Sequence, residues 1–148
     1  MELEDYVNAR KAFTQSYETY VSISLEDENN LESKSDEAIA LQKLGALAEA
    51  QGKNDLAKTW YRKSIQVRNE MGVTSSSTSK WKLDLAETYY QLGSLESARE
   101  RRSTFELARA ILSELKKLDA IGEKQGVWLK KIEESLEQLG TTNKVEVP

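Results

Sequence analysis

The sequence predicts an all-α protein of about six helices that fold back on one another as antiparallel hairpins. Apolar residues recur at spacings of three and four over most of the chain, which is the pattern of helices with one buried face. The composition also favours helix, because the 148 residues include seven glycines and a single proline, the last residue. At this length we expect one domain, residues 1–140, followed by a disordered tail at 141–148.

The best-defined hairpin is predicted for residues 36–71. In its first helix Leu41, Leu44 and Ala48 fall on one face, and Gly52 follows as the expected left-handed turn residue. The second helix continues the apolar stripe with Leu56, Ala57, Trp60, Tyr61, Ser64, Val67 and Met71.

Gly45 lies in the middle of the first helix of this hairpin. A glycine there costs about 1 kcal/mol relative to alanine. Such a residue is expected where a second helix approaches too closely for a side chain, and Ala57 is the natural neighbour. The pair Gly45 and Ala57 is therefore predicted to mark the helix crossing.

Small and aromatic residues recur at fixed spacing in this hairpin, namely Leu44-Gly45, Gly52, Ala57, Tyr61 and Ser64. Their pattern resembles the tetratricopeptide repeat, a helix–turn–helix unit of about 34 residues. Two positions depart from it, since Asn69 stands where the repeat usually has proline and Ala48 where it usually has tyrosine. The resemblance implies hairpins stacked as a short right-handed α-solenoid.

The flanking segments are interpreted as further pieces of such a solenoid. A helix at residues 3–25 resembles the second helix of a repeat and is expected to cap the N-terminus with an aromatic core stripe. The acidic segment 26–37 is expected to be a solvated linker with a helix N-terminus at Ser35-Asp36. A calcium loop is disfavoured, because the segment lacks the ligand spacing of an EF-hand.

A second, less regular repeat is predicted for residues 79–118, after a polar loop, with Gly93 as its turn glycine. Arginines crowd its second helix, and the sequence leaves open whether they are solvated charges or a surface for an acidic peptide. They are Arg99, Arg101, Arg102 and Arg109. A helix at residues 125–139, followed by Gly140 at a turn position, is expected to cap the C-terminus.

Composition removes several kinds of chemistry. The chain has no histidine and no cysteine, which excludes disulfides, thiolate nucleophiles, imidazole bases and nearly all zinc sites. We therefore expect no catalytic residue, no metal site and no cofactor. The net charge of −4 disfavours nucleic-acid binding. No apolar run has the length of a membrane span and the acidic start is unlike a signal peptide, so a cytoplasmic location is expected.

The resemblance implies that one face of each first helix lines a concave groove that binds a peptide or a partner helix. In the first repeat these positions are Ile39, Gln42, Ala46, Glu49 and Ala50. In the second they are Lys80, Leu83, Glu87, Tyr90 and Gln91, and Lys130, Glu134 and Gln138 would extend the surface. This mixed apolar and acidic lining favours an apolar or basic ligand segment.

The function predicted on this basis is a non-enzymatic protein-interaction module, acting as scaffold, adaptor or co-chaperone. Two alternatives remain open at this point: a regulatory or sensor domain of a larger signalling assembly, and a self-associating structural helical-repeat protein that forms a homo-oligomer. An enzyme is disfavoured, because no nucleophile has a plausible base and no carboxylate pair is set apart from a charged face.

Overall fold

The protein is described by a computed structural model over residues 3–26, 31–72 and 79–142. These residues form six α-helices and no strand, which confirms the predicted all-α fold class. The helices are α1 (Leu3–Glu26), α2 (Leu31–Ala50), α3 (Asn54–Glu70), α4 (Ser79–Leu95), α5 (Ala98–Lys117) and α6 (Glu123–Thr142). No helix in these ranges is long and apolar enough to span a membrane.

The chain divides into two compact units, Met1–Thr74 and Ser75–Pro148, here called the N-terminal and C-terminal units. In the N-terminal unit α2 packs against both α1 and α3, and in the C-terminal unit α5 packs against both α4 and α6. Each unit is thus a group of three helices built around one hairpin. The single domain expected over residues 1–140 stays a prediction.

The hairpin α2–α3 has the predicted turn. Gly52 adopts φ +71°, the left-handed conformation that glycine takes at little steric cost. Its N–H donates to the Glu49 carbonyl at 2.8 Å, and the Lys53 N–H donates to the Ala48 carbonyl at 2.9 Å. These bonds satisfy the last carbonyls of α2 and reverse the chain into α3.

Helix α3 packs closely on Gly45, but the atoms nearest to a side chain at this position belong to the ring of Tyr61 rather than to Ala57. The helix crossing predicted for Gly45 and Ala57 stays a prediction. A Cβ added to Gly45 would lie 2.6 Å from Cδ1 and from Cε1 of Tyr61. Tyr61 is fully buried, so its ring cannot swing aside. Beside this contact the Ser64 hydroxyl donates to the Ala38 carbonyl at 2.7 Å. The small residues Gly45 and Ala38 on α2 and Ser64 on α3 therefore leave space for the Tyr61 ring between the helices.

Helix α2 begins at Leu31, five residues before the predicted start of the repeat at 36. The expected linker is therefore wrong for Glu26, which ends α1, and for residues 31–34, which are helical, while residues 27–30 lie outside the described ranges. Ser33 is buried, and its hydroxyl donates to the Tyr20 carbonyl of α1 at 3.1 Å. Because α2 packs against α1, the helix extends into an acidic segment that would be expected to be solvated from its charge alone.

Helix α1 packs against α2, but none of its described side chains is fully buried. The expected core stripe is only partly covered, because its aromatic residues are half-buried. These residues are Tyr6, Phe13, Tyr17 and Tyr20. Tyr17 also meets the Trp60 ring of α3 edge to face, with centroids 6.4 Å apart.

Gly93 is not a turn residue, which corrects the sequence prediction. It is buried inside α4, and a Cβ there would lie 2.5 Å from ring atoms of Phe105. The turn instead follows Leu95, where Arg101 donates from Nε to the Gly93 carbonyl and from Nη2 to the Glu96 carbonyl, both at 2.9 Å. A side chain of α5 thus satisfies the end of α4 without a glycine.

Helix α6 begins before the predicted residue 125 and continues through Gly140, which is helical rather than a turn residue. Leu129 and Ile132 are its buried residues. Thr141 and Thr142 belong to the helix and not to the expected tail, whose remaining residues, 143–148, lie outside the described ranges. The predicted polar loop at residues 73–79 also lies outside the described ranges, except for Ser79, which begins α4.

The surroundings of the Glu37 carboxyl group in the N-terminal unit disfavour its charged form. Burial raises the pKa of Glu37 above its ordinary value, the charge of Glu70 raises it further, and Lys34 lowers it. The pKa of Tyr17 is also raised, by burial and then by the charge of Glu37. An ionised Glu37 therefore opposes the packing of α1, α2 and α3.

We predict that Glu37→Gln raises the thermal midpoint at neutral pH. Because the folded-state pKa is raised, protonated Glu37 favours folding below its ordinary pKa of about 4.3, and this contribution is lost as pH rises through the higher folded value. Melts of wild type and variant should therefore converge at acid pH and separate above it. Glu32→Gln, at an exposed site of the same helix, is the control. A midpoint difference independent of pH would contradict the account.

Candidate protein-interaction surfaces

The residues of α2 predicted to face a ligand form one stripe, here called the α2 stripe: Ile39, Gln42, Ala46 and Glu49. All four are half-buried, and Ala50 at the end of the helix is exposed. At about 100° per residue Ile39 and Ala46 lie opposite the buried face that holds Leu41, Leu44 and Ala48, whereas Gln42 and Glu49 lie at the edge of the buried residues. Whether this stripe contacts another molecule stays a prediction.

Two polar members of the α2 stripe are tied to α3. Gln42 accepts a hydrogen bond from Nη2 of Arg68 at 3.1 Å, and the carboxylate of Glu49 accepts one from the Tyr61 hydroxyl at 2.7 Å. Arg68 is fully buried. A buried cation beside the Gln42 amide, and a carboxylate held by a fixed phenol, leave little freedom for either side chain to reorient.

The corresponding residues of α4 also form one stripe, here called the α4 stripe: Lys80, Leu83, Glu87, Tyr90 and Gln91. Lys80 is exposed and the other four are half-buried. Lys80, Leu83, Glu87 and Gln91 lie on the side of the helix away from its buried face, which holds Leu85, Ala86, Tyr89 and Leu92. Tyr90 lies at the edge of the buried face, about 40° around the helix from Ala86. Whether this stripe contacts a ligand stays a prediction, as it does for the α2 stripe.

Tyr90 is the centre of an aromatic stack within the C-terminal unit. Its ring lies between Phe105 of α5, at a centroid distance of 6.0 Å, and Trp128 of α6, at 5.6 Å, with interplanar angles of 12° and 21°. Phe105 is buried, whereas Trp128 is half-buried. The stack therefore extends from the core to the surface and connects all three helices of the unit.

Charged residues surround the outer end of this stack. Nζ of Lys124 lies 4.7 Å from the centroid of the Trp128 ring and 3.5 Å from a carboxylate oxygen of Glu87. A cation over a tryptophan face and a carboxylate beside it are held by electrostatic attraction. Sequence reasoning missed Lys124, which precedes the predicted helix, although its spacing of four residues to Trp128 places both on one helix face.

The remaining predicted residues are not part of this cluster. Lys130 and Glu134 are exposed and lie 3.9 Å apart. From Trp128 they are offset by about 200° and 240° around α6, so they face away from it. Gln138 is likewise exposed.

The arginines of α5 are not a uniform basic surface. Arg101 caps α4 as described, and Nη2 of Arg102 donates to the Leu139 carbonyl of α6. Arg109 is exposed and lines a cleft of about 400 Å³ between α5 and α6, together with Glu106 and Glu133. Charges of both signs line this cleft. Within the described residues, no group of three or more His, Cys, Asp or Glu side chains is placed to hold a metal ion.

A comparison of the chain with models of known protein families and with curated proteins finds no match. The tetratricopeptide resemblance therefore stays a prediction carried by the residues of one hairpin.

We predict that Tyr90→Ala lowers the free energy of unfolding of the C-terminal unit by about 1–3 kcal/mol, because each of two ring pairs contributes about 0.5–1.5 kcal/mol. Urea unfolding followed by circular dichroism measures the change. Tyr90→Phe keeps both stacks and should unfold close to wild type. Equal stability of all three proteins would show that the stack does not hold the unit together.

Proposed function

We propose that this chain is a non-enzymatic protein-interaction module that binds a peptide segment or a helix of another protein. The observation that carries the proposal is the α4 stripe beside the half-exposed Tyr90–Trp128 stack. Aromatic rings that are partly exposed and already fixed are typical of residues that dominate protein interfaces. The role would be that of a cytoplasmic scaffold, adaptor or co-chaperone.

Preorganisation is the physical basis of this assignment. Tyr90 is clamped between two rings, and Trp128 is held in addition by Lys124. A ligand that packs on these rings loses little free energy to ordering them, so more of the contact energy appears as affinity. Leu83 adds an apolar neighbour one turn before Glu87 on the same face.

The charges beside the rings set the preferred ligand chemistry. The carboxylate of Glu87 lies 3.5 Å from Nζ of Lys124, which is long for an ion pair. A Lys or Arg side chain of a ligand can therefore compete for this carboxylate. An apolar segment that also carries a basic side chain therefore fits the α4 stripe. The α2 stripe differs, because its carboxylate, Glu49, already accepts a 2.7 Å hydrogen bond from Tyr61.

Self-association is a second candidate function, and exposed apolar residues on α1 favour it. Leu3 is 80% exposed and Leu25 is 77% exposed, with Val7 also exposed. Apolar side chains at the surface of a helix whose described side chains are all at least partly exposed can be covered by a second copy of the chain.

The test uses the full chain as bait for proteins of its host lysate, with Leu83→Glu and Leu107→Glu as matched variant baits. Leu107 is an exposed leucine of α5 in the same unit, so the two variants share substitution and charge. A carboxylate introduced at the centre of an interface should weaken capture by at least about tenfold.

Mass spectrometry should identify a protein that wild type and Leu107→Glu retain and Leu83→Glu loses. Equal retention by all three baits would remove the α4 stripe as the binding surface. Recovery of the bait alone, together with a dimer in sedimentation velocity, would favour self-association instead.

A further inference from the structure

The N-terminal unit contains a cavity of about 160 Å³ that the predicted ligand-facing residues do not line. Leu44 and Leu47 of α2 and Leu56 and Trp60 of α3 form its apolar walls. Residues of α1 close its remaining side. The cavity thus lies where all three helices of the unit meet, on the other side of α2 from the α2 stripe.

The volume of this cavity matches one side chain. Apolar protein cavities of about 150 Å³ take up a benzene-sized molecule, whereas sites for whole small ligands occupy roughly 300–1,000 Å³. A Leu, Met or Phe side chain is therefore the group of suitable size and polarity. Leu56, which is 44% exposed at the edge of the cavity, marks its open side.

The tryptophan wall is fixed before any ligand arrives. Trp60 meets the Tyr17 ring of α1 edge to face at 6.4 Å, and Nζ of Lys63 lies 4.9 Å from its ring centroid. An aromatic side chain held on one side by a ring and near a cation has few other positions to adopt. The tryptophan wall of the cavity is therefore held in place by contacts within the unit.

The charge around the cavity is positive although the chain carries a net charge of −4. Arg10 and Lys53 line it and are exposed, and none of its lining residues is a carboxylate. The nearby Asp55 carboxylate is bound to Lys58 at 2.9 Å. Two cations beside an apolar cavity complement an apolar side chain that has acidic neighbours.

We propose that this cavity binds one Leu, Met or Phe side chain of a partner peptide whose adjacent Asp or Glu residues meet Arg10 and Lys53. The site is separate from the α4 stripe and prefers the opposite ligand charge. Its existence does not depend on the function proposed for that stripe.

The test begins with selection from a phage-displayed library of random dodecapeptides on the immobilised full chain. Enriched peptides are synthesised with fluorescein, and their dissociation constants are measured by fluorescence polarisation. Reversing both cations with Arg10→Glu/Lys53→Glu should weaken binding by about tenfold or more, because two attractions become repulsions. The charge-matched control is Lys11→Glu/Lys43→Glu, at exposed sites of the same unit that do not line the cavity.

A second variant tests the cavity itself. Thr14 of α1 lines it and is half-buried, so Thr14→Trp should fill the space from its outer side. The variant should keep the wild-type thermal midpoint or raise it, and it should abolish peptide binding. Leu83→Glu should bind the same peptides as wild type, which separates this site from the α4 stripe.

The proposal predicts that enriched peptides combine Leu, Met or Phe with Asp or Glu, and that binding fails in both cavity variants. It is overturned if no peptide is enriched, if the enriched peptides bind the cavity variants as tightly as the control, or if only Leu83→Glu abolishes binding. A dimer of the chain that Thr14→Trp dissociates would also overturn it, since a second copy would then fill the cavity.

Discussion

Each hairpin of this protein depends on an aromatic ring that packs directly onto a helical glycine. Tyr61 occupies the space that a side chain at Gly45 would need, and Phe105 does the same at Gly93. The glycine lowers the intrinsic stability of its helix by about 1 kcal/mol. Burying a large aromatic side chain returns about 1.5–3 kcal/mol, so the close approach is favourable overall.

This contact also positions the candidate binding residues. Tyr61, once fixed on Gly45, holds the carboxylate of Glu49 through its hydroxyl. Phe105, once fixed on Gly93, supports Tyr90, which in turn stacks on Trp128. The candidate binding residues are therefore connected to the core of each unit. A substitution at Gly45 or Gly93 should change the positions of these surface side chains.

Local sequence patterns predicted the parts of the fold that depend on local physics. The cost of a glycine inside a helix identified the close packing of α3 on Gly45, and the left-handed preference of glycine identified the turn at Gly52. Gly93 was misassigned because a glycine that follows Leu92 looks the same whether it ends a helix or accepts a ring. Only the position of Phe105, twelve residues later in the next helix, distinguishes the two.

The candidate surfaces were predictable to a similar extent. Periodicity placed Leu83, Glu87 and Tyr90 on one face of α4, because that depends only on helix geometry. It could not associate them with Trp128 and Lys124, since that depends on how α6 packs against α5. The cavity between α1, α2 and α3 was not predictable either, because an empty volume has no signature in one helix.

The most direct test of this account is the free energy of unfolding of Gly45→Ala and Gly93→Ala, measured in urea on the full chain. Alanine is the better helix former by up to about 1 kcal/mol, yet its Cβ would lie 2.6 or 2.5 Å from ring atoms. The account predicts that each alanine destabilises its unit by about 1–3 kcal/mol. The control is Gly126→Ala, where the added Cβ meets no atom within 4 Å apart from its chain neighbours and the backbone of its own helix, and it should be neutral or stabilising. If all three alanines stabilised the chain alike, the glycine–ring contacts would not be what the hairpins depend on.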